Sequence, residues 1–460
     1  MNDIIRSEST QTTGIIPEQF SSTRDLDLNQ LEPISKPVQH WHTQSGTSVR
    51  FVPSHQLALV DLVLEFKAGR ALDGDSPGLS ALTLYTLDEG TQALTANQFN
   101  ERLESLGVTI DKRLRAEHAS VSLRSLSDSA VLEPAVDLLI GMVAQPALSD
   151  AAVARIKRQV LAAQAATDAS ARSRIRDEAF RQLFKGHAYA HALSATQAGI
   201  ASINVDAVKT FHQRAYSASN LQISLVGDLS RAQAETLAER ICQALPQGWT
   251  AIDTPPVPAP VAEIIHVEQA GASDTALLAV PLRHPLRAGT QTYLAMVMAN
   301  QVLGVGMESR LMRTLRQQRG LTYDVRSTLI PLQAATILVI EWEIDARYND
   351  ASQDLVSEVL SQFITQGPTL PELDLARRQL AGTRLREVAR NQTLSRLLAK
   401  MGQQDLPDDH LSTYVDRLLS LTVDDVRQAL QLLDLDAIVA VSAGPSLDQQ
   451  PLPAPTTTDQ

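Results

Sequence analysis

Few side chains in this sequence stand at spacings that do chemistry, and the first pair to consider is Arg316 and Tyr323. They lie seven positions apart in the segment GVGMESRLMRTLRQQRGLTYDV, residues 304–325. A guanidinium and a phenol brought to one place can donate hydrogen bonds to a peptide carbonyl or to a developing oxyanion. Taken singly, each also has a structural explanation. An Arg in the last turn of a helix meets the macrodipole favourably, and a Tyr at a strand start is usually packing. The ten histidines are scattered. His40 and His42 flank Trp41 at strand spacing, with no carboxylate motif after them. His187 and His191 have the spacing of a metal pair on a helix, but GHAYAH, opened by Gly186, reads as a loop. Asp88 and Glu89 precede Gly90 and Thr91 and read as a solvated helix end. The single cysteine, Cys242, excludes an internal disulfide and any multi-thiolate centre. No nucleophile elbow, phosphate loop or dinucleotide fingerprint is present.

The elements that must position Arg316 and Tyr323 can be read locally. Gly304 and Gly306 make a tight loop able to approach another backbone closely. The stretch ESRLMRTLRQQR then predicts a helix with Leu311, Met312 and Leu315 on one face, stopped by Gly320. LTYDVRSTLI predicts a strand. The reversal between helix and strand would bring the two side chains together. Elsewhere, residues 58–69, 118–126 and 335–345 alternate like half-buried strands, and residues 155–184 read as one long helical stretch. Strands grouped with helices on one face predict an α+β layer architecture.

The chain has 460 residues, which implies two or more domains. Hydrophobic residues at 44% and charged residues at 20% are a globular composition. A net charge of −12, aromatic residues at 4% and no Lys/Arg block argue against nucleic-acid binding. Residues 254–262, TPPVPAPVA, hold four prolines and predict an extended linker. On either side the halves echo each other. LSDAAVARIKRQVLAAQ at 148–164 is matched by LPELDLARRQLAG at 370–382, and residues 202–228 are matched by 420–445. The expected organisation is therefore a lead-in (1–35), an N-terminal α+β domain (36–253), the linker, a second homologous domain (263–448) and a tail (449–460). The visible start is polar and lacks a signal-peptide core, which reads as cytoplasmic, with a periplasmic location if a signal was removed. No run of residues has the length and apolarity of a membrane span.

With those residues in view, the chain resembles the insulinase/pitrilysin metallopeptidase family, and within it the two-domain subfamily that includes mitochondrial processing peptidase. The resemblance rests on G-x-G-M-x-S-R-L followed by L-R-x-x-R-G-L-x-Y-x-V in the second half. It extends to AGR at 68–70, GLS…LDEGT at 78–91, HAYAH at 187–191 and AYSASNLQISLVGD at 215–228. It implies two homologous domains, each an antiparallel-rich sheet with helices on one face, forming a half-shell. In that family an Arg and a Tyr of this spacing help hold the substrate backbone. Arg316 and Tyr323 match that pair, with Gly304 and Gly306 letting the preceding loop approach substrate or partner.

Active relatives carry an inverted zinc motif, H-x-x-E-H, on a first-domain helix. Here GLSALTLYTLDEGT stands against a pattern like GLAHFLEHMLFKGT, so Ala81 and Tyr85 replace the ligands and Leu84 replaces the catalytic Glu. The third ligand position falls near Ala163. A methyl and an isobutyl group have no lone pairs, and a phenol is a poor zinc ligand. The resemblance thus implies a non-catalytic, substrate-positioning subunit with no metal or cofactor of its own, no catalytic residue on this chain alone and no nucleic-acid partner. It would be paired as a heterodimer with a zinc-bearing homologue that acts on peptides or unfolded segments. A scaffold role like that of respiratory-complex core subunits, or a partnership in peptide-cofactor maturation, are the alternatives.

Overall fold

Alternating apolar residues build two sheets, one from each half of the chain. The computed structural model describes residues 34, 36–271 and 273–455. The expected lead-in, apart from residue 34, and the last five residues of the tail lie outside the described residues, with residue 35 at the domain boundary also outside. The first sheet contains β1 (Gln39–His42), β2 (Ser48–Pro53), β3 (Leu59–Phe66), β4 (Thr109–Leu114), β5 (Ala119–Leu126) and β6 (Leu221–Gly227), in the order β1-β2-β6-β3-β5-β4. The second contains β7 (Glu263–Glu268), β8 (Ser273–Pro281), β9 (Val325–Pro331), β10 (Thr336–Asp345) and β11 (Val439–Gly444), in the order β7-β11-β8-β10-β9. In each, one contact is parallel, β2 with β6 and β7 with β11, and the rest are antiparallel. The orders superpose term by term once β1 is set aside, which is the internal repeat expressed as topology.

The first half supplies α1 (Leu79–Thr86), α2 (Ala96–Leu106), α3 (Ser129–Ala144), α4 (Asp150–Ala169), α5 (Ala171–Leu183), α6 (Gln197–Ser202), α7 (Val205–Ala215) and α8 (Arg231–Ala244). The second supplies α9 (Gln291–Gly304), α10 (Asn349–Gln366), α11 (Leu370–Val388), α12 (Asn391–Gln403), α13 (Tyr414–Ser420) and α14 (Val423–Leu430). One face of each sheet is covered by helices of its own half, as the α+β reading expects. In the first sheet, Phe51, Leu62, Leu64 and Ile223 pack in one core with Phe99, Leu139 and Ile241 from α2, α3 and α8.

The opposite faces are covered too, and by exchange. Ile175, Phe180 and Leu183 of α5 pack on Leu277, Ala279 and Val439 of the second sheet. Leu394, Leu398 and Met401 of α12 pack on Val52 and Val226 of the first. The exchange depends on a break that the sequence pattern does not reveal. The stretch expected as one helix is two, because Ser170 adopts an extended conformation (φ −83°, ψ 120°) and its hydroxyl accepts from the Ser173 amide. A serine there ends one helix and caps the next, so α5 leaves its own half and crosses to the other sheet. Arg390 (φ −114°, ψ 128°) makes the equivalent break before α12.

Residues 254–262 have no regular structure. They are tied down by the Thr254 amide donating to the Gln333 side chain at 3.1 Å and by His187 Nε2 donating to the Pro255 carbonyl at 3.0 Å. No helix among the described residues is long and apolar enough to cross a membrane.

Candidate functional site

The candidate site is the turn joining α9 to β9. Gly304 ends α9 in a buried position, where a Cβ would lie 2.5 Å from both the amide nitrogen and Oγ of Ser327. The close approach that Gly304 serves is therefore to β9 of its own chain. This corrects the expectation that it approaches substrate or partner. Gly306, in contrast, sits at φ +86° with nothing near its absent side chain, in an exposed loop.

The predicted helix forms after Ser309, whose hydroxyl donates to the Gly306 carbonyl at 2.8 Å. Leu311, Met312 and Leu315 are its buried face, as expected. Its winding is wider than α-helical. Met312–Gln317 is a π-helical turn, with the Gln318 amide donating to the Arg313 carbonyl at 3.0 Å. π-turns recur at functional sites because the extra residue re-aims the side chains that follow. Gly320, at φ +62°, closes the turn by donating to the Arg316 carbonyl.

The strand starts later than predicted, at Val325, so Tyr323 stands in a bend two residues before it and is 88% exposed. Arg316 and Tyr323 do converge. Arg316 Nη1 donates to the Tyr323 carbonyl at 3.1 Å, and the guanidinium carbon is 5.6 Å from the Tyr323 ring centroid. The phenol remains free to reach outward. An exposed ring held beside a fixed cation is a small platform of donors, suited to the carbonyls of an extended peptide.

Three contacts that the sequence reading missed hold this turn. Arg172 of α5 donates to Asp324, the neighbour of Tyr323, at 3.0 Å. Arg310 binds Glu372 through two hydrogen bonds of 2.8 and 2.7 Å and the Gly367 carbonyl at 2.9 Å. Arg176 of α5 forks onto the buried Glu341 of β10, which also accepts from Arg326 at 3.2 Å. Burial alone would raise the Glu341 carboxyl, but the Arg176 hydrogen bonds and the two positive charges hold it below the usual range. Arg172 is 152 positions from Asp324, so no local pattern signals that contact. The capping box of α11, Thr369 with Glu372, is the one sequence-level trace of the Arg310 anchor.

The positions matching the zinc motif lie on α1, whose start is capped by Asp73 accepting from the Gly78 and Ser80 amides at 2.7 Å each. Ala81 and Leu84 are buried, Leu84 in the main core under the first sheet. Tyr85 packs against the small core that α1 shares with Val153 and Ile156 of α4. The Lys112 ammonium stands 5.6 Å from the Tyr85 ring centroid. Ala163 is exposed on α4. Its neighbour Gln164 is the buried polar residue there, accepting from the Ala195 amide at 3.2 Å and donating to Asp168 at 2.8 Å. A zinc ion does not fit this arrangement: the donor set is gone, two positions are packed hydrocarbon, and a lysine cation stands beside the third.

Asp88, Glu89, His187 and His40, also considered in the sequence, are engaged within the chain. Asp88 pairs with Lys112 and Glu89 with Arg155, so these acids are ion-paired and not simply solvated, which corrects that expectation. His187 Nε2 donates to Pro255 while Nδ1 accepts from the Tyr189 amide at 3.2 Å; the expected loop is here a short 3-10 turn over Ala188–His191. His40 bonds Ser48 at 3.0 Å and lies 3.2 Å from Asp408.

Comparison with known proteins adds the following. Residues 53–197 match the family model described as Insulinase (Peptidase family M16), and residues 202–380 match the one described as Peptidase M16 inactive domain. A Pseudomonas fluorescens structure described as a peptidase M16 inactive domain is 35% identical. It superposes with a TM-score of 0.86 over 90% of this chain and 100% of that one. The Non-peptidase homolog YmxG of Helicobacter pylori is 26% identical over 357 residues, covering 76% of this chain and 80% of that protein. A protease structure from Helicobacter pylori, 17% identical, shares the fold with a TM-score of 0.82 over 89% of this chain and 100% of that one.

Proposed function

This chain belongs to the insulinase family, peptidase family M16, and from that premise we propose that it is a non-peptidase subunit that positions substrate for a zinc-bearing homologue. The observation that carries the proposal is a contrast between two sites. Arg316 and Tyr323 converge in an exposed, braced turn, while Ala81, Leu84 and Tyr85 occupy the zinc positions with side chains that cannot hold the ion. The name of the Helicobacter pylori relative, a non-peptidase homolog, agrees with this reading.

In the proposed heterodimer the partner supplies zinc and this chain closes the other side of a chamber. Arg316, fixed by the Tyr323 carbonyl, presents its remaining N–H groups to a peptide carbonyl. The Tyr323 hydroxyl donates to a neighbouring carbonyl or to the oxyanion that forms on the partner's side. Holding an extended peptide in reactive geometry removes much of the entropic part of the barrier. Gly306 lends the loop before the turn an open, side-chain-free surface.

The test is reconstitution. Peptide cleavage is measured for this chain alone, for a zinc-bearing homologue alone and for the mixture. Cleavage that needs both chains is expected. Zinc-dependent cleavage by this chain alone would overturn the proposal. Arg316→Ala in an intact pair that still turns over normally would leave a scaffold role only.

A further inference from the structure

A second polar cluster lies away from the Arg316 turn, where the start of α9, the helices α11 and α12 and residues 407–414 meet. It surrounds a cleft of about 110 Å³. Its cationic and ring-bearing polar lining is Tyr293, Arg384, Lys400, His410, Tyr414 and Arg417, joined by Thr290 and Gln404, with no carboxylate among the lining residues. For a chain with a net charge of −12, three cations around one small cleft is a concentrated reversal of sign.

Part of that charge has partners. Arg384 meets Glu387 at 3.1 Å and stacks 4.4 Å from the Tyr414 centroid, yet its Nε is buried with no acceptor. Arg417 donates to the Gly289 carbonyl and to His410 Nδ1, the latter at 3.4 Å. The Lys400 ammonium makes no hydrogen bond or close ion pair among the described residues; burial and then the Arg384 charge lower its pKa, and the field of Glu387 opposes them. Outside the lining, Glu387 pairs with Arg384 and its field reaches Lys400, and Asp409 faces His410 from its own short turn.

The histidine adds a donor and no charge. Burial, then the positive fields of Arg384 and Arg417, push His410 down to about 4, so the ring is neutral at neutral pH. Because Nδ1 accepts from Arg417, its proton sits on Nε2. The charged groups of the lining are therefore all cations, and the neutral polar groups beside them, the tyrosine hydroxyls, the His410 Nε2–H and the Gln404 amide, can each donate to an anion. The apolar part of the wall is Leu294, Val297, Leu397 and Met401. Inorganic phosphate or sulfate would leave that wall unused, and a neutral apolar molecule would leave the charge unanswered.

We propose that this cleft binds a small organic carboxylate with a short unbranched apolar chain, the carboxylate at Lys400 and Arg384 and the chain against Leu294 and Met401. Size narrows the class. A cavity of roughly 150 Å³ accepts benzene, so this one takes about four to six non-hydrogen atoms, with the charged end at the exposed Lys400 mouth.

Butyrate is the probe, titrated into the full chain and followed by calorimetry and by thermal shift. Saturable binding is expected, weakened about tenfold or more by Lys400→Gln and restored by Lys400→Arg. Butyramide, the same shape without the charge, should bind at least tenfold more weakly than butyrate. Tyr293→Phe, which keeps the ring and removes only the hydroxyl, serves if Lys400→Gln does not fold, and should weaken butyrate about threefold. No saturable butyrate binding overturns the proposal. Equal binding by the parent chain and the folded variants overturns it as well, as do equal affinities for butyrate and butyramide. Sulfate binding in preference to butyrate would remove the apolar half of the ligand class.

Discussion

Tyr323 and Leu84 stand at opposite extremes of exposure, 88% and 0%, and substitution should act on them in opposite ways. Tyr323→Phe removes only an oxygen from an exposed ring, so the unfolding free energy should move by less than about 0.5 kcal/mol. On the proposed positioning role, the same change in the reconstituted pair should lower turnover about tenfold to a hundredfold, since a donor to the substrate would be lost. Equal turnover with unchanged stability would remove Tyr323 from the site. Leu84→Glu, which restores the general base of active relatives, places a carboxylate in the core beneath the first sheet. It should cost about 3 kcal/mol or more in urea denaturation. Adding Ala81→His and Tyr85→His should still not retain zinc after dialysis, because the Lys112 ammonium remains beside the site. Stoichiometric zinc in that triple variant would refute the fit argument. Arg316 and Tyr323 were legible in the sequence because loop, helix stop and Tyr are all local signals. The role of Gly304 was not, since its requirement comes from Ser327, a residue on a strand that the sequence places after the turn.

At the level of elements, what escaped the sequence is which sheet each amphipathic helix covers. An apolar stripe on α5 or α12 says that a face is buried, but nothing in its spacing names the partner. The breaks at Ser170 and Arg390 decide it, and each is one residue inside an otherwise continuous helical pattern. The contact between α12 and β3 carries a testable electrostatic consequence. Glu65 of β3 is buried and accepts a hydrogen bond from Gln403 of α12. Burial pushes its carboxyl up to about 7, against the opposing pull of Arg115 and Gln403. In the unfolded chain the group titrates near 4.5. Between those values the folded chain binds more protons than the unfolded one, so this group makes stability fall as pH rises, by about 3 kcal/mol across the window. Glu65→Gln abolishes the titration and keeps an acceptor for Gln403. It should match the parent near pH 4.5 and exceed it by about 2–3 kcal/mol at pH 8 in urea denaturation. Parallel stability curves for the two proteins would show that Glu65 is not the titrating group.

For the whole molecule, the exchange of helices means that neither sheet is complete within its own half. The described residues form one compact unit although two sheets and two repeats are plainly present. Ile175, Phe180, Leu183 and Phe184 are all buried in the core that includes the second sheet. Burying side chains of this kind stabilises by about 1.5–3 kcal/mol each, so the four together supply about 6–12 kcal/mol, comparable to the 5–15 kcal/mol total of an ordinary domain. A polypeptide of residues 34–253 would expose all four, and would also bare the face of the first sheet that α12 covers. One of residues 254–455 would lose α5 and the Arg176–Glu341 and Arg172–Asp324 contacts, which also brace the turn that carries Tyr323. Expressed separately, each half should therefore lack a cooperative thermal transition and bind a hydrophobic dye. Co-expressed, the two should purify as a complex that melts in a single transition, because the exchanged helices make each half part of the other's core. The intact chain should likewise melt once, with Leu398→Ala on the first sheet and Phe180→Ala on the second lowering the same transition, each by about 2–5 kcal/mol. A half that folds alone with a sharp transition, or two separate transitions each moved by only one variant, would mean that the halves are independent domains. In that event the Arg316 turn would owe its position to its own half, and Arg172→Ala should leave turnover of the reconstituted pair unchanged. With exchange holding the halves together, that variant should reduce turnover severalfold at unchanged binding of the partner, because Asp324 would no longer fix the bend that aims Tyr323.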